Sequence, residues 1–167
     1  DCAFSDLTNG ATCVKLEWRG IQPDSSDGSD AQLETSWRKN RIYDNQFHTN
    51  NGTTAIEVDG QHEIRGLIIS DNIVDVGSIF LTVKGAGVQG LTFTGNTWYG
   101  RRNGEQGVIK FENGAIRSAT ISGNTFSGFG DGTATPNNFI RVASAANVRG
   151  LAITGNTFSY CNDEAIN

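Results

Sequence analysis

The sequence predicts an all-β chain wound as a parallel β-helix, a solenoid of short stacked strands. Three observations predict it. Nearly the same ten residues occur as LTFTGNTWYG at 91–100, ATISGNTFSG at 119–128 and LAITGNTFSY at 151–160. Each copy alternates apolar and polar residues, the strand period of two, so Leu91 and Phe93 point one way and Thr92 and Thr94 the other. No unit carries an amphipathic pattern of helical length or a leucine-rich ladder. Repeats of roughly 20–50 residues that cannot bury their own apolar face do so by stacking, and here only strands are available to stack.

From the N-terminus, DCAF fits the frame with Cys2 where an Asn stands elsewhere, and a second strand motif, CVKLEW, starts at Cys13. The segment GIQPDSSDGSDAQLETSW, 20–37, is a long acidic loop. IYDNQF at 42–47 restores the first motif with Asp44-Asn45, and AIEVDG follows from Ala55. LIISDNIV at 67–74, with Asp71-Asn72, is followed by FLTVKG from Phe80. The three clear copies are interleaved with VIKFENG from Val108 and FIRVAS from Phe139, and AIN at 165–167 opens another second motif. The chain therefore starts and ends in mid-repeat and has no Met among its 167 residues. It reads as one β-helix segment, 1–167, of about five turns, cut from a longer chain and truncated at both ends.

The intervals between Asn45, Asn72, Asn96, Asn124 and Asn156 are unequal, at 27, 24, 28 and 32 residues. Stacking explains this. In a parallel coil each residue lies about 4.8 Å from its counterpart in the next turn, so strand positions are fixed while loops vary in length. Phe4, Phe47, Val74, Trp98, Phe126 and Phe158 should then form one inward stack. The asparagines should form another, linked by side-chain amides as in cross-β structure. The Gly or Asp before each Asn suits a corner with positive φ.

Composition narrows the function. With 37% hydrophobic residues the chain can bury a core, and no apolar run reaches the ~18 residues of a membrane helix. Net charge is −5, without the clustered Lys and Arg that a nucleic-acid surface needs. Cys2, Cys13 and Cys161 match neither a metal spacing nor a disulfide framework and read as free thiols. Asp24, Asp27, Asp30 and Glu34 in the long loop do not match a calcium-loop spacing. His48 and His62 are isolated and read as loop residues. No metal or cofactor is expected.

Candidate chemistry lies in outward columns of the second motif. One column holds Lys15, Glu57, Thr82, Lys110 and Arg141; the next holds Glu17, Asp59, Lys84, Glu112 and Ala143. Glu17, Asp59 and Glu112 are the candidate catalytic carboxylates. Glu17 and Asp59 would be vertical neighbours, near the separation of a retaining glycosidase pair. Asp59 and Glu112, two turns apart at about 9.6 Å between backbones, fall nearer the inverting range. Lys15, Glu57, Lys84, Lys110 and Arg141 would hold substrate, joined by Tyr99, Arg101 and Arg102 from the loop after residue 98. The same columns also read as a solvated ladder of opposite charges that supports the sheet and needs no substrate. Thr94, Thr97, Ser122, Thr125, Thr154 and Thr157 fit strand positions that favour β-branched and small hydroxyl residues better than an ice-binding face.

The I-x-G-N-x-F pattern with its Asn ladder resembles the right-handed parallel β-helix of the pectin-lyase-like superfamily. It is most similar to bacteriophage tailspikes and polysaccharide depolymerases. The resemblance covers essentially the whole chain. It implies a virion-borne or extracellular homotrimer that binds and cleaves a host cell-surface polysaccharide, as a glycoside hydrolase more than a lyase. A free lyase or epimerase acting on uronate polymers is the alternative, and a structural spacer with no site of its own is a third reading. Fold and function are separable in such superfamilies, so the site has to be argued from its residues.

Overall fold

The computed structural model describes residues 3–7, 12–16, 40–49, 53–61, 63–75, 79–100, 107–128, 138–159 and 166. They form parallel strands wound as a β-solenoid, with no helix among them. The first turn contributes β1 (Ala3–Leu7) and β2 (Thr12–Leu16). The second holds β3 (Arg41–Tyr43), β4 (Gln46–Thr49), β5 (Thr54–Gly60) and β6 (Ile64–Arg65). The third holds β7 (Ile68–Ser70), β8 (Ile73–Asp75), β9 (Ile79–Gly85) and β10 (Gly87–Gln89). Next come β11 (Thr92–Thr94), β12 (Thr97–Gly100), β13 (Ile109–Phe111) and β14 (Ala115–Ser122). The last are β15 (Thr125–Gly128), β16 (Ile140–Val142), β17 (Asn147–Thr154) and β18 (Thr157–Ser159).

Three sheets run along the coil. The first stacks β1, β4, β8, β12, β15 and β18; the second stacks β2, β5, β9, β13 and β16. The third is bent at a corner: β6 pairs with β10, which pairs with the first half of β14, while β3, β7 and β11 lead to its second half, and β17 covers both. Among the described residues, about three turns are complete in every strand position, against the five expected.

Both expected ladders are present. Phe47, Val74, Trp98, Phe126 and Phe158 stand in one register, and Phe4 pairs in backbone register with Phe47. Phe47, Val74, Trp98 and Phe126 are fully buried. The Phe126 ring is stacked on Phe158 with centroids 5.4 Å apart and lies parallel to Phe93 at 6.5 Å.

The asparagine file is continuous. The side-chain oxygen of Asn72 accepts from both the backbone N–H and the amide Nδ2 of Asn45, each at 3.0 Å. Asn96 does the same for Asn72, Asn124 for Asn96, and Asn156 for Asn124. Asn72, Asn96 and Asn124 are buried, with their amides also donating to strand carbonyls. Each bend is thus held by polar groups that leave no unpaired amide to bury. Immediately before each Asn, Asp44, Asp71, Gly95, Gly123 and Gly155 all have positive φ, between 54° and 65°. Only Gly, Asn and Asp adopt that conformation readily, which explains the restricted choice.

Strict alternation breaks at the start of the second motif. The carbonyl of Val108 accepts from Phe80 and Leu81, and that of Phe139 accepts from Val108 and Ile109. One acceptor facing two donors is a bulge, and it turns both residues of each pair inward. Phe80-Leu81 and Val108-Ile109 are accordingly buried, and Ala55-Ile56 and Phe139-Ile140 at the same place in the motif are buried as well.

A third motif, beyond the two read from the sequence, closes each turn: IRGL at 64–67, VQGL at 88–91, IRSA at 116–119 and VRGL at 148–151. Gly66, Gly90, Ser118 and Gly150 share its positive-φ corner, with the non-glycine Ser118 at 54°. Nearby, Gly87 has φ 96°, and a Cβ there would lie 2.1 Å from the carbonyl oxygen of Ala115. Glycine is the residue that lets these two strands approach.

Cys13 lies half-buried on β2 against the core and forms no disulfide; Cys2 and Cys161 lie outside the described residues. Burial pushes its thiol from the ordinary 9.0 up to about 11, with a backbone hydrogen bond opposing part of the rise. The folded chain holds this proton more tightly than the unfolded chain. Its contribution to stability is therefore complete below pH 9 and lost as pH rises toward about 11. Iodoacetamide followed by peptide mapping should label Cys13 slowly at pH 8 and rapidly in denaturant, because the thiolate is the nucleophile. Equal rates in the two conditions would contradict this.

Candidate functional site

The second sheet brings the candidate charged residues together. Successive strands pair Lys15 with Glu57, Glu57 with Thr82, Thr82 with Lys110, and Lys110 with Arg141. Asp59 pairs with Lys84, and the backbone N–H of Glu112 donates to the carbonyl of Val83 beside it. The inward residues between them, Val58, Val83 and Phe111, are buried. Apolar packing on the inner face therefore fixes the outward columns, since successive residues of a strand face opposite ways.

Lys15 and Lys84 flank two carboxylates. The Lys15 Nζ lies 3.4 Å from Glu57 Oε1 and 3.3 Å from Asp59 Oδ2. The Lys84 Nζ lies 3.2 Å from Glu57 Oε2 and 3.6 Å from Asp59 Oδ2. Glu57 is the least exposed of the four, with its side chain 13% accessible. Burial pulls the Lys84 pKa down, but the hydrogen bond it donates to Glu57 and the charges of Glu57, Asp59 and Glu112 outweigh it and raise the pKa above its ordinary 10.5. Lys84 therefore sits in the field of all three carboxylates, within a cluster of two ammonium and two carboxylate groups.

Glu112 is exposed at the edge of this cluster, and Lys110 and Arg141, each partly exposed, stand on adjacent strands beyond Thr82. Glu17, Arg101 and Arg102 lie outside the described residues, as do the loop 20–37 and His62. Tyr99 does not join the charged face. It projects from β12 on the first sheet, 42% exposed.

The loop reading of His48 is corrected: it lies on β4, and its Nδ1 is 3.5 Å from Asp75 Oδ2 on β8. The signal was available, because aligning QFH with IVD around the inward Phe47 and Val74 places His48 over Asp75. Among the described residues, no group of three His, Cys, Asp or Glu is arranged to hold a metal ion.

Comparison with family models finds no match to this chain. No curated protein and no solved structure matches it either.

Proposed function

We propose that this solenoid is the polysaccharide-contacting part of a tailspike-like phage protein, with the second sheet as its charged contact face. The observation that carries the reading is the register of two outward charged columns across adjacent strands, ending in the neighbouring cations Lys110 and Arg141. A regular array of donors and acceptors on a rigid sheet suits a repeating, hydroxylated polymer, because the lateral spacing is preset and little side-chain order is lost on binding. In this reading Glu17, Asp59 and Glu112 are the candidate catalytic carboxylates, and Lys84, between Asp59 and Glu112, orients both. The proposed setting is a homotrimer on the virion, as the resemblance to phage tailspikes implies.

A second reading, a structural spacer, is favoured by the interlaced pairs of Lys15 and Lys84 with Glu57 and Asp59. Such pairs support a sheet without any ligand. Asp59→Asn separates the two readings. Under the first, it removes glycan cleavage while binding and folding persist, because the amide keeps the shape but cannot exchange a proton. Replacing Lys110 and Arg141 together by Ala should weaken binding of the host glycan. Full cleavage by Asp59→Asn, with unchanged binding in the double variant, would leave the spacer reading.

A further inference from the structure

The outward face of the first sheet differs in chemistry from the charged face. Its two columns are Gln46, Ile73, Thr97, Thr125 and Thr157, and His48, Asp75, Tyr99, Ser127 and Ser159, all in register from β4 to β18. Only His48 and Asp75 in these columns are of charged type, and they face each other at 3.5 Å. Tyr99 stands on the strand next to Asp75, and Ile73 lies diagonally beside it. Ile73 and Tyr99 are each 42% exposed, on a face otherwise lined by hydroxyl, amide, imidazole and carboxylate groups.

From this arrangement we infer a second binding site, on the first sheet, for an uncharged polysaccharide. A pyranose has an apolar C–H face and a rim of hydroxyls. The Tyr99 ring supplies a flat apolar surface with a polar tip. Asp75, one strand spacing away, accepts hydrogen bonds from sugar hydroxyls, and the hydroxyls of Thr97, Thr125 and Ser127 donate and accept along the polymer. These columns carry no Lys or Arg to attract a polyanion, in contrast to the Lys110 and Arg141 end of the second sheet. An apolar protein partner would need a broader contiguous patch than one Tyr and one Ile provide. The inference stands independently of the charged face, since it uses none of that face's residues.

Affinity electrophoresis of the chain in gels containing dextran, hydroxyethyl cellulose or polygalacturonate tests it. At least one of the two neutral polymers should retard the protein, and polygalacturonate should not retard it through this face. Tyr99→Ala should weaken that retardation about tenfold, the loss expected for removing a central aromatic anchor. Asp75→Asn should weaken it less, and Arg149→Ala on the third sheet should leave it unchanged. Circular dichroism of each variant checks that the solenoid is intact. The inference is overturned if neither neutral polymer retards the chain, or if folded Tyr99→Ala is retarded as strongly as the parent. Binding to the charged face alone would appear instead as retardation by polygalacturonate that Tyr99→Ala does not change.

Discussion

Phe126→Ala is expected to lower the free energy of unfolding by about 3–5 kcal/mol, the range for emptying a buried aromatic site. Phe126 is fully buried and stands between Trp98 and Phe158 in the aromatic file. Its ring also lies 5.9 Å from Phe139, which immediately precedes β16 of the second sheet. The cavity would open where two sheets meet, and the surrounding strands are held by backbone ladders on both sides, so they can close it only in part. Urea denaturation of parent and variant measures the difference. A loss under about 1 kcal/mol would mean that this file is not the packed centre of the solenoid.

The second expectation concerns the asparagine file. Asn96→Leu should cost about 1–3 kcal/mol, the penalty for a buried polar group left without its partner. The backbone N–H of Asn72 would lose its acceptor, the Asn96 side-chain oxygen at 3.0 Å, and the carbonyl of Ile69 would lose the Asn96 amide. The Asn72 amide keeps the carbonyls of Ile42 and Ser70, which limits the cost. Asn96→Asp makes a sharper test. It retains the oxygen facing Asn72 but replaces the amide donor with a second oxygen, set against the Ile69 carbonyl and the Asn124 side-chain oxygen. A carboxylate there would have its folded pKa raised, so the defect should be greatest at neutral pH and lessen as pH falls through that raised value. Thermal melts across pH 4–8 would show it; a defect that grows on acidification would argue against this hydrogen-bonding scheme.

The charged face was legible because the inward neighbours of its residues form an unambiguous apolar frame. Once Val58, Val83 and Phe111 are aligned, the positions of Glu57, Asp59, Lys84, Lys110 and Arg141 follow from the period of two. Alignment gives the strand on which a side chain stands but not where its flexible end goes. Lys15 and Lys84 each reach both Glu57 and Asp59, and that crossing depends on rotamers and distances between turns. His48 was misplaced for a related reason. Considered singly it has no motif, and its role appears only when the neighbouring turn supplies Asp75.

By itself the sequence determined the solenoid, the inward aromatic file, the asparagine file and the outward charged columns. Each follows from local alternation and from repetition of the same residue types, and stacking converts repetition into contact. Tertiary structure alone decided the two-residue bulge that buries Phe80 with Leu81, the shared corner at Gly66, Gly90, Ser118 and Gly150, and the close approach at Gly87. It also decided which charges meet across turns. The physical reason is that these features depend on backbone geometry and on separations between turns. A strand pattern carries the direction of each side chain, but it carries neither the shared acceptor that makes a bulge nor the distance that makes an ion pair.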